Sequence, residues 1–154
     1  MIIVTPPKPE DTNFITATFL DGYMKEWGAG PCPYDIWHKT MTPVAESLLF
    51  GGGSVLLVAR VKGEKNTKTN LLGWSCVRHP EDQPPLVVYT YVKGLFRRGG
   101  IARALLKAHG ISYSTDTFTY STSTKHSRRL GKKAPHANYN PLEIRENHAK
   151  KDRK

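Results

Sequence analysis

One segment limits the folds open to this chain more than any other: a long apolar run that leads through a glycine- and arginine-rich loop into an amphipathic helix. The apolar run covers residues 86–92, the loop contains Arg97, Arg98, Gly99 and Gly100, and apolar residues recur at helical spacing over 101–108. Glycine lets the backbone approach a ligand closely, and a helix start presents unpaired N–H groups with partial positive charge. The segment predicts a strand–loop–helix unit that binds phosphate.

The elements around this unit predict one mixed α/β domain. A short strand at 2–4 precedes a helix capped by Asp11 or Thr12, which ends at the glycines of 28–30. A second helix or helix pair follows over 36–49, broken near Pro43. Apolar runs at 54–61, 71–77 and 86–92 predict three strands, and 118–122 a further one. We expect one domain over 1–144 and a basic, flexible tail over 145–154.

Charge and cysteine usage restrict the partners. The 154 residues carry a formal net charge of +10, of which +7 lies in residues 125–154. This excess predicts attraction to an anion: nucleic acid, an anionic membrane or a phosphorylated small molecule. Cys32 and Cys76 lie far apart with no clustered histidines, so we expect no zinc site, no disulfide framework and a reducing cytosol. With no long apolar run and no signal-peptide pattern, we expect a soluble, cytoplasmic protein that does not insert in a membrane.

The loop after the third long strand is neither of two common phosphate motifs. It lacks the Gly-Lys-Ser/Thr ending of a Walker loop and the three-glycine pattern of dinucleotide-binding folds. The stretch Arg97-Arg98-Gly99-Gly100-Ile101-Ala102 instead resembles the cofactor loop of the GNAT superfamily of N-acyltransferases, Arg/Gln-x-x-Gly-x-Gly/Ala. The predicted order of elements over residues 1–125 is similar to that superfamily as well.

The resemblance implies a fold and a cofactor. The fold is a mixed, mostly antiparallel twisted sheet flanked by helices and splayed between its fourth and fifth strands, with acetyl-CoA or another acyl-CoA in the gap and no metal. Backbone N–H groups from Arg98 to Ala102 would hold the pyrophosphate, and the Val92 backbone would pair with the pantetheine arm or polarise the thioester. The implied cofactor-binding residues are Val92, Arg97, Arg98, Gly99, Gly100, Ile101 and Ala102.

The proton donor departs from the family pattern. Many members place a tyrosine on the helix after the fifth strand, but the matching stretch 124–131 has none. Direct attack by an amine still needs an acid for the leaving thiolate. The candidates are Tyr139, which is the first choice, Tyr120 and Ser123, with Ser127 and His126 nearby. Tyr89, Tyr91 and His79 are candidates for a base on the acceptor side.

The acceptor is left open between three interpretations. The apolar strand, the cofactor loop and the later Tyr-Asn-Pro of 139–141 resemble small bacteriophage GNAT-type proteins, including the Mom type of DNA-modifying enzymes. This implies a nucleic-acid amine as acceptor, bound through the basic segment 125–154 in the cytoplasm of a bacterial host. The alternatives are acetylation of a protein or small-molecule amine, and a non-catalytic binding protein. The superfamily resemblance also allows a homodimer.

Overall fold

The computed structural model describes residues 2–26, 32–63, 71–97, 99–112, 114–121 and 134–140, and these form a six-stranded sheet with helices on both faces. The strands lie side by side in chain order. The first four pair with one another in antiparallel fashion, and the last two are parallel to the fourth. The strands are β1 (Ile2–Thr5), β2 (Ser54–Val61), β3 (Leu71–Arg78), β4 (Leu86–Val92), β5 (Phe118–Tyr120) and β6 (Ala137–Tyr139). The helices are α1 (Thr12–Glu26), α2 (Tyr34–Phe50) and α3 (Ile101–Ala108), with short 3-10 turns at Pro9–Asp11 and Gly94–Phe96.

The core has two parts, one on each face of the sheet. Helices α1 and α2 cover one face, where Trp74 is fully buried and its Nε1 donates a hydrogen bond to Thr18 Oγ1 (2.8 Å). Helix α3 covers the other face, where Leu105 and Leu106 are fully buried. Strand β3 lies between the two layers and is buried along its whole length.

Strand β4 contains an irregularity that changes which side chains face each layer. Cys76 pairs with Tyr89 whereas Val77 pairs with Val87, so Val88 is an extra residue opposite β3. Val87 packs in the α3 layer, and both Val88 and Tyr89 pack in the α1/α2 layer. This arrangement is a β-bulge, which reverses the alternation of side chains over the rest of the strand.

A close approach at Gly73 places the start of α3 against the end of β4. A Cβ at this position would lie 2.5 Å from the Tyr91 carbonyl oxygen and 3.5 Å from Cγ2 of Ile101. Only glycine leaves room for both groups. The loop between β4 and α3 is thereby held on a buried glycine of the neighbouring strand.

The structure confirms the mixed α/β class and corrects two local predictions. Helix α2 continues through Pro43 because residues on both sides of it are buried, including Trp37, whose Nε1 donates to the Leu20 carbonyl (3.0 Å). Strand β6, which the sequence analysis did not predict, pairs with β5 from Phe118 to Tyr120. The predicted domain boundary at 144/145 and most of the basic segment 125–154 lie outside the described residues.

Candidate functional site

The loop between β4 and α3 opens onto free space at Gly100. Gly100 is the N-cap of α3 with a φ of +82°, and a Cβ placed there would have no atom within 4 Å. The helix starts with the hydrogen bond from the Ala104 N–H to the Gly100 carbonyl (3.0 Å), so the N–H groups of Ile101 and Ala102 precede its internal hydrogen-bond pattern. A backbone concavity of this kind suits an anion.

Arg97 lies beside this concavity and contacts the end of β4. Its Nε donates a hydrogen bond to the Val92 carbonyl (3.1 Å), while the side chain as a whole is exposed. Gly99 is also exposed, and its N–H donates to the Phe96 carbonyl (3.4 Å). One arginine of the loop is thereby tied to the end of β4, while Arg98 lies outside the described residues.

Backbone groups at the end of β4 point away from β3. The Lys93 N–H donates to the Leu72 carbonyl (2.8 Å), so the alternation of an antiparallel strand turns the N–H and C=O groups of Thr90 and Val92 toward the β5 side. We call this side of Thr90–Val92 the β4 edge. The described part of β5 pairs with β4 only at Leu86 and Val87.

Two of the predicted catalytic residues lie together, near the other end of β4. Tyr120 pairs with Val87 on one side and with Tyr139 on the other, and the two tyrosine rings are 5.4 Å apart between centroids. Tyr139 is 49% exposed, whereas Tyr120 is half-buried. Val92 lies five residues farther along β4 than Val87, roughly 16 Å at the rise of a strand. The structure thus brings Tyr120 and Tyr139 together but separates them from Val92, and Ser123 lies outside the described residues.

The candidate bases on the acceptor side differ in exposure. Tyr89 is only 7% exposed and stacks on Trp74 with ring centroids 5.4 Å apart. Tyr91 is half-buried and packs edge-on against Phe14 (5.9 Å). His79 is exposed just beyond the end of β3. The Tyr89 ring is therefore part of the core, and Tyr91 lies closer to solvent.

A polar cluster that sequence reasoning missed lies in the α3 layer. Ser75 Oγ and His109 Nε2 are 2.6 Å apart, and Thr90 is the residue paired with Ser75 across β3 and β4. Burial is the main cause that lowers the pKa of His109 to about 4, with His79 adding to the effect, so the ring is neutral at neutral pH. The three residues are far apart in sequence, and no local pattern connects them.

A further basic side chain, Lys93, follows the end of β4. Lys93 lies with its Nζ 5.2 Å from the centroid of the Phe14 ring, and burial lowers the pKa of its amine.

Among the described residues there is no group of three or more histidine, cysteine or acidic side chains that could hold a metal ion. In the same part of the chain, none of the helices has the length and apolar character needed to cross a bilayer.

The fold of the described residues, a six-stranded sheet with helices on both faces, is similar to that of solved GNAT N-acetyltransferases. A Pyrococcus furiosus protein described as an acetyl transferase is 18% identical with a TM-score of 0.57, over 84% of this chain and 91% of that chain. A ribosomal-protein-alanine N-acetyltransferase of Brucella melitensis is 19% identical with a TM-score of 0.50, over 86% and 89%. A GCN5-related N-acetyltransferase of Rhodopseudomonas palustris is 16% identical with a TM-score of 0.53, over 84% and 78%.

These similarities are similarities of fold. No protein-family model matches the chain, and no curated protein matches its sequence. The GNAT fold implied by the motif at residues 97–102 is therefore confirmed at the level of three-dimensional structure.

Proposed function

We propose that this protein is an acyl-CoA-dependent N-acyltransferase with acetyl-CoA as donor. The observation that carries the proposal is the open, positive-φ Gly100 at the start of α3, with Arg97 beside it and the β4 edge next to it. A pyrophosphate needs backbone N–H donors and positive charge, and a peptide-like arm needs an unpaired strand edge. The start of α3 and the β4 edge are neighbours in this structure, as the pyrophosphate and the pantetheine arm are neighbours in CoA.

The chain's own groups would hold the donor in an extended form. The N–H groups of Ile101 and Ala102 would bind the pyrophosphate, with the guanidinium of Arg97 adding charge-assisted hydrogen bonds. The outward N–H groups of Val92 and Thr90 and the carbonyl of Thr90 would pair with the amides of the pantetheine arm, while the Val92 carbonyl keeps its hydrogen bond from Arg97. An extended arm that starts at the loop would run back along β4 toward Val87. Bound acetyl-CoA supplies an activated thioester for direct attack by an amine.

The reacting end of such a donor would lie near Tyr120. An extended pantetheine arm is about as long as the segment of β4 between Val92 and Val87, where β5 begins to pair. The phenol of Tyr120 could then donate a proton to the leaving thiolate, and Tyr139 lies one strand farther from β4. In this arrangement Val92 binds the arm and does not act as the oxyanion donor. Tyr120 thus takes precedence over Tyr139 as the proposed general acid.

Removing the Tyr120 hydroxyl tests this role. We expect Tyr120→Phe to lower kcat by about 100-fold with CoA affinity unchanged, because general acid catalysis typically contributes 10²–10⁴-fold. Tyr139→Phe is the direct comparison, and Tyr34→Phe is a control because Tyr34 is an exposed tyrosine on α2. A large loss of kcat in Tyr139→Phe alone would assign the acid to Tyr139 and contradict our assignment.

We further propose a nucleic-acid amine as the acceptor, in line with the resemblance to phage Mom-type proteins. The support is the charge of the chain, since residues 125–154 contribute +7 of the net +10. Neutralised phosphates dominate nucleic-acid affinity. A cytoplasmic location is part of this proposal. A homodimer is a separate prediction, which a mass measurement in solution would test.

Because part of the basic segment 125–154 belongs to the folded core, a deletion is not a suitable test of its role. A deletion from residue 125 would remove strand β6 and the buried Ala134, so point changes are preferable. We expect replacement of all five basic residues of 125–133 by glutamine to weaken DNA binding and to reduce the salt slope by about 4, at about 0.9 per neutralised phosphate. The residues replaced are Lys125, Arg128, Arg129, Lys132 and Lys133. Unchanged affinity and salt slope would place any nucleic-acid contact elsewhere.

Incubation with labelled acetyl-CoA and separate pools of DNA, tRNA and protein tests the proposed function as a whole. Label transferred to DNA or tRNA supports the nucleic-acid acceptor, and label on protein alone would replace it with a protein acceptor. Failure of CoA to raise the melting temperature or to give a titratable heat signal would contradict the enzyme proposal and favour a non-catalytic protein.

A further inference from the structure

The α3 layer contains two buried polar atoms that have no hydrogen-bond partner among the described residues. They are Thr90 Oγ1 and His109 Nδ1. The same layer contains two apolar clusters, one with Val92 and Ile101 and the other with Val87 and Leu106. Burying a hydroxyl without a partner costs about 1–3 kcal/mol, so such groups in folded proteins usually meet a water molecule or a ligand.

Thr90 is the member of this cluster that lies next to the β4 edge. It is paired with Ser75 across the two strands, and directly paired residues point to the same face of a sheet. Since Ser75 contacts His109 at the end of α3, the Thr90 side chain is also in the α3 layer. The backbone N–H and C=O groups of Thr90 point toward the β5 side. One residue therefore carries both the buried hydroxyl in the α3 layer and the backbone groups that face the gap.

We propose that the Thr90 hydroxyl is a donor-binding group that hydrogen-bonds an amide of the pantetheine arm. This inference rests on the proposed function, because that function places the arm along the β4 edge. An amide offers both a donor and an acceptor, and a threonine hydroxyl can fill either role. The bound arm would give the hydroxyl the partner that it lacks in the folded chain, so the residue favours the ligand-bound protein.

The Ser75–His109 pair has a supporting position in the same cluster. The two side chains are hydrogen-bonded to each other, and Ser75 lies on β3, one strand farther from the gap than its partner Thr90. Burial keeps the pKa of His109 low, so the pair adds no positive charge to the α3 layer. Ser75 is therefore a suitable comparison: its hydroxyl is in the same layer but already has a partner.

Three variants separate ligand binding from structure. Thr90→Val removes the hydroxyl and keeps the shape of the side chain, Thr90→Ser keeps the hydroxyl, and Ser75→Ala removes a hydroxyl away from the gap. Affinity is measured by calorimetry for CoA and for adenosine 3′,5′-bisphosphate, which has the nucleotide but no pantetheine arm. Melting temperatures are measured without ligand.

We expect Thr90→Val to weaken CoA about fivefold to tenfold, as loss of one neutral hydrogen bond does, and to leave the bisphosphate unchanged. Without ligand its melting temperature should be equal to or higher than that of the wild type, because an unpartnered buried hydroxyl is gone. Thr90→Ser should bind CoA as the wild type does. Ser75→Ala should melt lower, because His109 Nε2 loses its partner, with little change in CoA affinity.

The outcomes distinguish this inference from the function on which it rests. If the wild type binds CoA and Thr90→Val binds it equally well, the assignment of Thr90 is overturned and the proposed donor remains. Equal weakening of CoA and of the bisphosphate would also overturn it, because the effect would not involve the arm. If the wild type binds no CoA, the proposed function fails, and the role of Thr90 fails with it.

Discussion

The double variant Arg97→Ala/Gly100→Asp is expected to lose CoA binding, with affinity at least about 100-fold below that of the wild type. Arg97 supplies a cation beside the concavity, and an aspartate at Gly100 would put negative charge where the pyrophosphate is proposed to lie. Each charge-assisted hydrogen bond contributes about 1.5–3 kcal/mol, and 1.4 kcal/mol is a tenfold change in affinity. Calorimetric titration with CoA measures the loss.

The same helix offers a matched control at its other end. Lys107 is exposed in the last turn of α3, and Gly110 has a φ of +86° with no atom within 4 Å of an added Cβ. Lys107→Ala/Gly110→Asp therefore makes the same change in charge and in backbone strain, away from the concavity. We expect it to bind CoA as the wild type does. Comparable losses in the two double variants would contradict a phosphate site at residues 97–102.

The second large effect is expected from Asp11, in the 3-10 turn before α1. Asp11→Ala should lower the free energy of unfolding by about 3–5 kcal/mol, because it leaves Arg60 as a buried charge without its partner. Arg60 Nη2 contacts Asp11 Oδ2, and the two residues are 3% and 2% exposed. The same carboxylate oxygen accepts a hydrogen bond from the Lys8 N–H (2.7 Å). Denaturant unfolding of the ligand-free protein measures the change.

Two further variants show whether the loss comes from the unpaired charge. Asp35→Ala removes an exposed acid from the first turn of α2 and should cost less than about 1 kcal/mol. Asp11→Leu combined with Arg60→Met removes both charges and should be more stable than Asp11→Ala alone. If Asp11→Ala were as mild as Asp35→Ala, the ion pair would not contribute to the stability of the α1 end of the sheet.

Much of the fold could be predicted because its signals are local. The apolar runs of β2, β3 and β4 coincide with the predicted strands to within about a residue, and the helical spacing of α1 and α3 is equally clear. The continuity of α2 through Pro43 was not predictable, because it depends on the burial of residues such as Leu48 and Leu49 against the sheet. Strand β6 is only three residues long and is mostly exposed, so its pairing with β5 is what makes it a strand.

The candidate site likewise has some features that the sequence predicts and others that it does not. The loop at residues 97–102 was recognisable from its glycines and arginines, because a backbone that must take a positive φ at Gly100 restricts the residue type. The separation of Val92 from Tyr120 was not recognisable, because it depends on the parallel register of β5. The cluster of Ser75, Thr90 and His109 joins three distant segments and had no signal in the sequence.

The sequence by itself determined the order of elements up to β5, the glycine- and arginine-rich loop between β4 and α3, and the position of most of the positive charge, because each is a property of consecutive residues. Only the tertiary structure decided which backbone groups of β4 point to the gap, which tyrosine lies beside it and which buried hydroxyl lacks a partner. Those features depend on strand register and on the bulge at Val88, where one extra residue changes the face that every following side chain occupies.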